Sequence, residues 1–148
     1  FVKEAVKVFG SQCIVVSIDI EKNKKNEYEI FSHNGVKHWI TVISALNKIL
    51  ECKAGEVLLN NVNLDGKMMG YDLELIKMVF SKVNIPIIAA GGASKPDDFA
   101  EAINSGAAAA AAASIFHFTS FTPNDCKESM AKNGIPVRKH VAQSESRN

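Results

Sequence analysis

At 148 residues, with 47% hydrophobic positions, the chain is the size of one ordinary domain and holds enough apolar side chain for a core. A formal net charge of +1 supplies no field for nucleic acid or an anionic membrane, and no apolar run approaches the ~20 residues that cross a bilayer. Cys13, Cys52 and Cys126 are far apart and His33, His38, His117 and His140 lack ligand spacing, so we expect a reduced, cytoplasmic protein with surface histidines, no metal and no cofactor.

Phe1, Val2, Ala5, Val6 and Phe9 have a helical spacing, which predicts a helix over 1–9 ending at Gly10. An apolar run over 13–18 closes on Asp19 and is a buried-strand candidate. A charged turn over 21–25 follows, and alternation over 27–33 (Tyr28 and Ile30 against Glu27 and Glu29) predicts a small exposed hairpin arm. Trp39, Val42, Ile43, Leu46, Ile49 and Leu50 share one helical face, closing before Gly55. Residues 56–59 are strand-like and lead into a polar loop over 60–66. A helix over 72–83, capped by Asp72, turns Leu73, Ile76, Val79 and Phe80 inward.

The stretch 85–94, Ile-Pro-Ile-Ile-Ala-Ala-Gly-Gly-Ala-Ser, is punctuated at both ends and predicts a fully buried strand of a parallel sheet. Gly91 and Gly92 allow a sharp turn and leave no Cβ between main-chain N–H groups and a ligand; a plain strand-to-helix turn would use the same pair. Pro96 then opens a helix with Phe99, Ala102 and Ile103 inward, ending at Gly106. The seven alanines of 107–113 have high helix propensity, but the alternation of strands and helices asks for a strand there. A helical turn over 114–118, an amphipathic helix over 123–133 and a disordered tail over 139–148 complete the chain. The end of a helix followed by four strand–helix units implies an α/β fold with parallel, right-handed connections: half of a (β/α)8 barrel over 1–138, or a small open sheet.

In such a barrel the active site lies at the C-terminal ends of the strands, with a phosphate site from the loops after the last two and a short extra helix. Here those ends are Gly91–Gly92 and Ala113–Ser114, and Ser114 opens a short helix whose N–H groups favour an anion. Asp19 ends its strand in the same mouth, where a carboxylate is costly unless it is paired or used; a cap on the following turn is the other option. Asp65 lies in an Asp-Gly pair, which is also an ordinary turn.

Gly10-Ser11-Gln12-Cys13, Ser17-Ile18-Asp19, Ala54-Gly55-Glu56, Asp65-Gly66, Gly70-Tyr71-Asp72, Ala89-Ala90-Gly91-Gly92-Ala93, Ala113-Ser114-Ile115-Phe116-His117-Phe118 and Gly134-Ile135-Pro136-Val137-Arg138 stand in one order. Together they resemble the C-terminal half of the cyclase subunit of imidazole glycerol phosphate synthase, over residues 1–138. The resemblance implies strands five to eight of a (β/α)8 barrel. It also implies a glutaminase partner whose ammonia crosses the barrel to a bis-phosphorylated ribulosyl aminoimidazole carboxamide substrate. Asp19 matches one of two acid–base aspartates; the other would precede Phe1, so we expect a fragment that is inactive alone. Asp65 matches a supporting acidic residue in the mouth. Gly91, Gly92, Ala113 and Ser114 match the holders of one substrate phosphate, Asn60 a mouth position, and Glu56 the ammonia gate at the barrel bottom. Asn60-Asn61 replaces the usual Thr-Ser, Asn63-Leu64-Asp65-Gly66-Lys67 the usual Asp-Arg-Asp-Gly-Thr, and Ala90 the usual Ser. The basic residues usual after the catalytic aspartate are shifted, leaving Asp19-Ile20-Glu21-Lys22. These departures leave two alternatives: a cyclase-like relative that works with an amidotransferase on surface sugars, and a non-catalytic barrel that only conducts ammonia.

Overall fold

The computed structural model describes residues 1–32 and 40–138; Trp39, three of the histidines (His33, His38 and His140) and the expected tail lie outside them. In chain order the elements are α1 (Val2–Phe9), β1 (Val15–Lys22), β2 (Tyr28–Ile30), α2 (Val42–Glu51), β3 (Glu56–Asn61), α3 (Leu73–Phe80), β4 (Ile87–Ala90), α4 (Pro96–Asn104), β5 (Ala109–Ala110), α5 (Ser114–Phe118) and α6 (Pro123–Lys132). Strands β1, β3, β4 and β5 pair in parallel in that spatial order, and β2 adds an antiparallel arm outside β1. The fold is therefore α/β, four parallel strands of a (β/α) barrel with their crossover helices.

Alternation along the strands sorts the two faces of the sheet. Ile20, Val57, Leu59, Ile87 and Ala89 point to one face and join Leu46, Ile49, Leu75, Val79, Phe99 and Ala102 of the helices in one close-packed core. On the other face, Ser17, Leu58, Ile88 and Ala109 form a row across the four strands, half-buried or exposed. Val15 on that face is 48% exposed, and α1 buries none of its residues. The strand expected as buried over 13–18 is thus half-buried on one side, at Ile14, Val16 and Ile18, and exposed on the other, and it starts only at Val15, after a 3-10 turn at Ser11–Cys13.

The helices start where the sequence supplies caps. The Asp72 carboxylate accepts from Leu75 N at 3.0 Å, and Thr41 and Thr122 cap α2 and α6 in the same way. Three expectations need correction. The strand expected as fully buried over 85–94 covers only Ile87–Ala90, and its residues alternate between buried and half-buried because one face of the sheet meets the helices. Phe80 is 59% exposed rather than inward. It is the last residue of α3, and its ring lies over Gly106, where a β-carbon would come within 2.5 Å. The alanine strand covers only Ala109–Ala110, not 107–113; among the described residues β5 is the last strand of the sheet and pairs with β4 alone. Ala108 N to Ile87 O and Ala111 N to Ala89 O, both 2.8 Å, continue the ladder at each end.

Candidate active site at the strand ends

Asp19, Asn60 and Ala90 are register partners on adjacent strands, on the uncovered face. Asp19 does not end β1. The strand runs on to Lys22 because Ile20, Glu21 and Lys22 pair with β2, and Phe31 N donates to Asp19 O at 2.9 Å. Asn60, expected in a polar loop, is a strand residue, and its Nδ2 donates to Asp19 Oδ1 at 3.0 Å. The residue expected in the substrate mouth and the expected acid–base residue are thus in direct contact.

Asp65, Gly91, Gly92, Ala113 and Ser114 converge on one small cleft of about 20 Å³, together with Gly66, Met68 and Ala93. That volume admits a water-sized group such as a single phosphate oxygen. The two glycines are required by more than a ligand. A β-carbon on Gly91 (φ +83°) would lie 2.8 Å from Asn60 Oδ1, and one on Gly92 (φ +106°) 2.2 Å from Gly70 O. Gly70 N in turn donates to Gly92 O at 2.8 Å, which locks the loop after β3 onto the loop after β4.

Two buried side chains fix the rim. Asp98 Oδ2 accepts from Ser94 N at 2.7 Å, Ser94 Oγ at 2.8 Å and Lys95 N at 3.1 Å, pinning the turn that follows Gly92. Tyr71 OH donates to Ala111 O at 2.9 Å, and its ring meets Phe99 edge-on at 5.7 Å. Burial pushes the Tyr71 phenol far above its ordinary pKa, so it stays a donor. The first N–H groups of α5, at Ser114 and Ile115, have no intrahelical acceptor, and Ser114 lines the cleft.

A polar network behind the site is absent from the sequence-based expectations. The Asp72 carboxylate receives Tyr28 OH at 2.9 and 3.0 Å and Asn61 Nδ2 at 2.7 Å, besides capping α3. Asn61 Oδ1 accepts from Asn63 N at 2.9 Å, and Asn63 Oδ1 from Lys22 N at 2.6 Å. The β1–β2 hairpin, the end of β3 and the start of α3 are thereby tied together. Burial, then the Asp72 carboxylate, pushes the Tyr28 phenol up to about 12. One sequence signal pointed there: Asn61 follows Val57 and Leu59 on the covered face, and a polar residue in such a stripe must find partners.

Glu56 opens β3, four residues from Asn60 and on the same uncovered face, about 13 Å from it at the usual strand rise. It therefore lies at the opposite end of the sheet from the cleft. His117 is exposed, as expected of a surface histidine. Among the described residues no group of three acidic, histidine or cysteine side chains could hold a metal ion, and no helix is long and apolar enough to cross a membrane.

Comparison with known proteins gives a consistent result. The model of a family described as "Histidine biosynthesis protein" matches residues 1–122. The "Putative imidazole glycerol phosphate synthase subunit hisF2" of Campylobacter jejuni is 45% identical over 141 residues, 93% of this chain and 55% of the relative. The imidazole glycerol phosphate synthase subunits HisF of Pyrococcus furiosus and Thermococcus onnurineus are each 43% identical, over 93% of this chain and 55% and 54% of their own lengths. The chain thus spans about half the length of the curated relatives it matches. It belongs to the histidine biosynthesis protein family.

Proposed function

We propose that this chain supplies half of the barrel of an imidazole glycerol phosphate synthase cyclase, a lyase of histidine biosynthesis. Ammonia from a glutaminase subunit reacts with a bis-phosphorylated ribulosyl aminoimidazole carboxamide nucleotide to give imidazole glycerol phosphate and AICAR, in the cytoplasm and without a cofactor. The observation that carries this is that Asp19 and the Gly91–Gly92–Ser114 cleft lie on one edge of one sheet face, joined through Asn60. Asp19 acts as general acid–base, which contributes about 10²–10⁴-fold in rate. Main-chain N–H groups at Gly91, Gly92, Ala113 and Ser114 take one phosphate. Asp65 supports the rim of that cleft, Asn60 faces the mouth, and Glu56 belongs to the ammonia gate at the far end. The second acid–base carboxylate and the second phosphate site fall to the other half of the barrel, so these 148 residues alone are inactive.

A second function is favoured by Asn60, Asn63 and Ala90, which remove hydroxyl and charged groups from the mouth. It is ammonia transfer to a surface sugar on the same barrel, beside an amidotransferase. The test is to supply the protein as its gene encodes it with saturating ammonium and either substrate. Consumption of the carboxamide nucleotide is expected. Turnover of the sugar alone would establish the second function, and turnover of neither would leave a barrel that only conducts ammonia.

A further inference from the structure

We propose that Asn60 is a positioning residue, which holds the Asp19 carboxylate in its reactive orientation and is itself seated by the turn at Gly91. This rests on Asp19 being the acid–base residue. The carboxamide lies between two neighbouring strands. On the β1 side its Nδ2 donates to Asp19 Oδ1 at 3.0 Å. On the β4 side its Oδ1 is so close to the Gly91 turn that a β-carbon there would stand 2.8 Å away. A carboxylate only accepts hydrogen bonds, so the end of the amide facing Asp19 is the NH2 end, and the oxygen must face Gly91. The hydrogen bond to Asp19 fixes one end of the amide, and the missing β-carbon at Gly91 gives the other end its space.

The chemistry of the pair suits an acid–base residue. A neutral amide donor fixes the orientation of a carboxylate without itself adding a charge to the site. Gly91 therefore has two roles. It opens the main chain towards the cleft, and it makes space for the amide that orients Asp19. The phosphate cleft and the acid–base group are coupled through one side chain.

The experiment measures turnover with saturating ammonium on the protein as its gene encodes it, for Asn60→Ala, the isosteric Asn60→Asp, Asp19→Asn and the double variant Asp19→Asn/Asn60→Ala. Losing the orienting donor should lower kcat by up to about 10²-fold, the usual cost of a misplaced catalytic group, and leave KM for the carboxamide nucleotide unchanged. Asn60→Asp, which keeps the shape and loses the donor, should fall at least as far. The double variant should be no slower than Asp19→Asn, because the two residues act as a unit. If Asn60→Ala and Asn60→Asp keep the wild-type kcat, or raise KM alone, Asn60 does not position Asp19. Losses that multiply in the double variant would equally overturn the proposal. A wild-type rate for Asp19→Asn would instead remove the acid–base role of Asp19.

Discussion

Leu58 and Leu59 are adjacent in β3, identical in chemistry and opposite in surroundings. Leu59 is 2% exposed within the core shared with the helices, while Leu58 lies on the uncovered face beside Ser17 and Ile88. The same division runs through the whole sheet. One face is close-packed from Ile20 to Ala89; the other has Asp19 and Asn60 at one end, Glu56 at the other and an apolar belt between. On the proposed function, stability and chemistry sit on opposite sides of the same strands, and single substitutions should separate them.

The largest stability effect should come from Leu59→Ala, about 2–5 kcal/mol for a cavity in a closed core. Leu58→Ala, which removes a half-buried side chain, should cost less, about 1 kcal/mol. Urea unfolding of both variants checks this. Equal costs would show that the second face is also covered in solution. Gly92→Ala comes next, at about 1–3 kcal/mol for a positive φ, with the added clash against Gly70 O forcing the two loops apart. It should also weaken binding of inorganic phosphate at the cleft, followed by NMR of the Gly91 and Ser114 amides. Undisturbed stability and binding would mean the two loops are not locked as described.

The smallest effect is one of pH. The Tyr28 phenol stands at about 12 in the folded chain, against about 10 for an unfolded tyrosine. The native state therefore keeps a proton that the unfolded state releases between those values. Tyr28's contribution is full below pH of about 10 and is lost as pH rises towards about 12. Tyr71 acts in the same direction. Urea midpoints across this range should fall, and native tyrosinate absorbance should rise later than in the unfolded chain. Asp72→Ala should bring the Tyr28 titration part of the way back, since burial is the larger cause. Native tyrosines ionising near their ordinary pKa would contradict the network.

Much of the fold is legible in the sequence because its punctuation is local. Asp72, Pro96 and Pro123 stand at helix starts, and Gly91–Gly92 closes a short apolar strand, as the structure has them. Where tertiary contact decides, the sequence is silent or misleading. β1 continues past Asp19 only because β2 folds back on it, and Asn60 becomes a strand residue because β1 and β4 flank it. Phe80 fits the inward helical face by spacing, yet its ring turns to Gly106. Tyr28 and Asp72 are 44 positions apart, so no local pattern announces their hydrogen bond. In the site, the meeting of Gly91–Gly92 with Ala113–Ser114 at one cleft is legible from their order along the chain, whereas the place of Asp19 short of the end of β1 is not. The Asn60 contact was not, since it depends on the register between strands.

The division between a stabilising face and a chemical face is tested most directly by Asp19→Asn in the protein as its gene encodes it, measured at once for turnover with saturating ammonium and for its urea midpoint. Turnover should fall by about 10²–10⁴-fold, because an amide keeps the shape and cannot exchange the proton. The stability derived from the midpoint should change by only about 1 kcal/mol for each hydrogen bond lost, far less than the loss in rate. A wild-type rate, or a rate lost only because the protein unfolds, would contradict it.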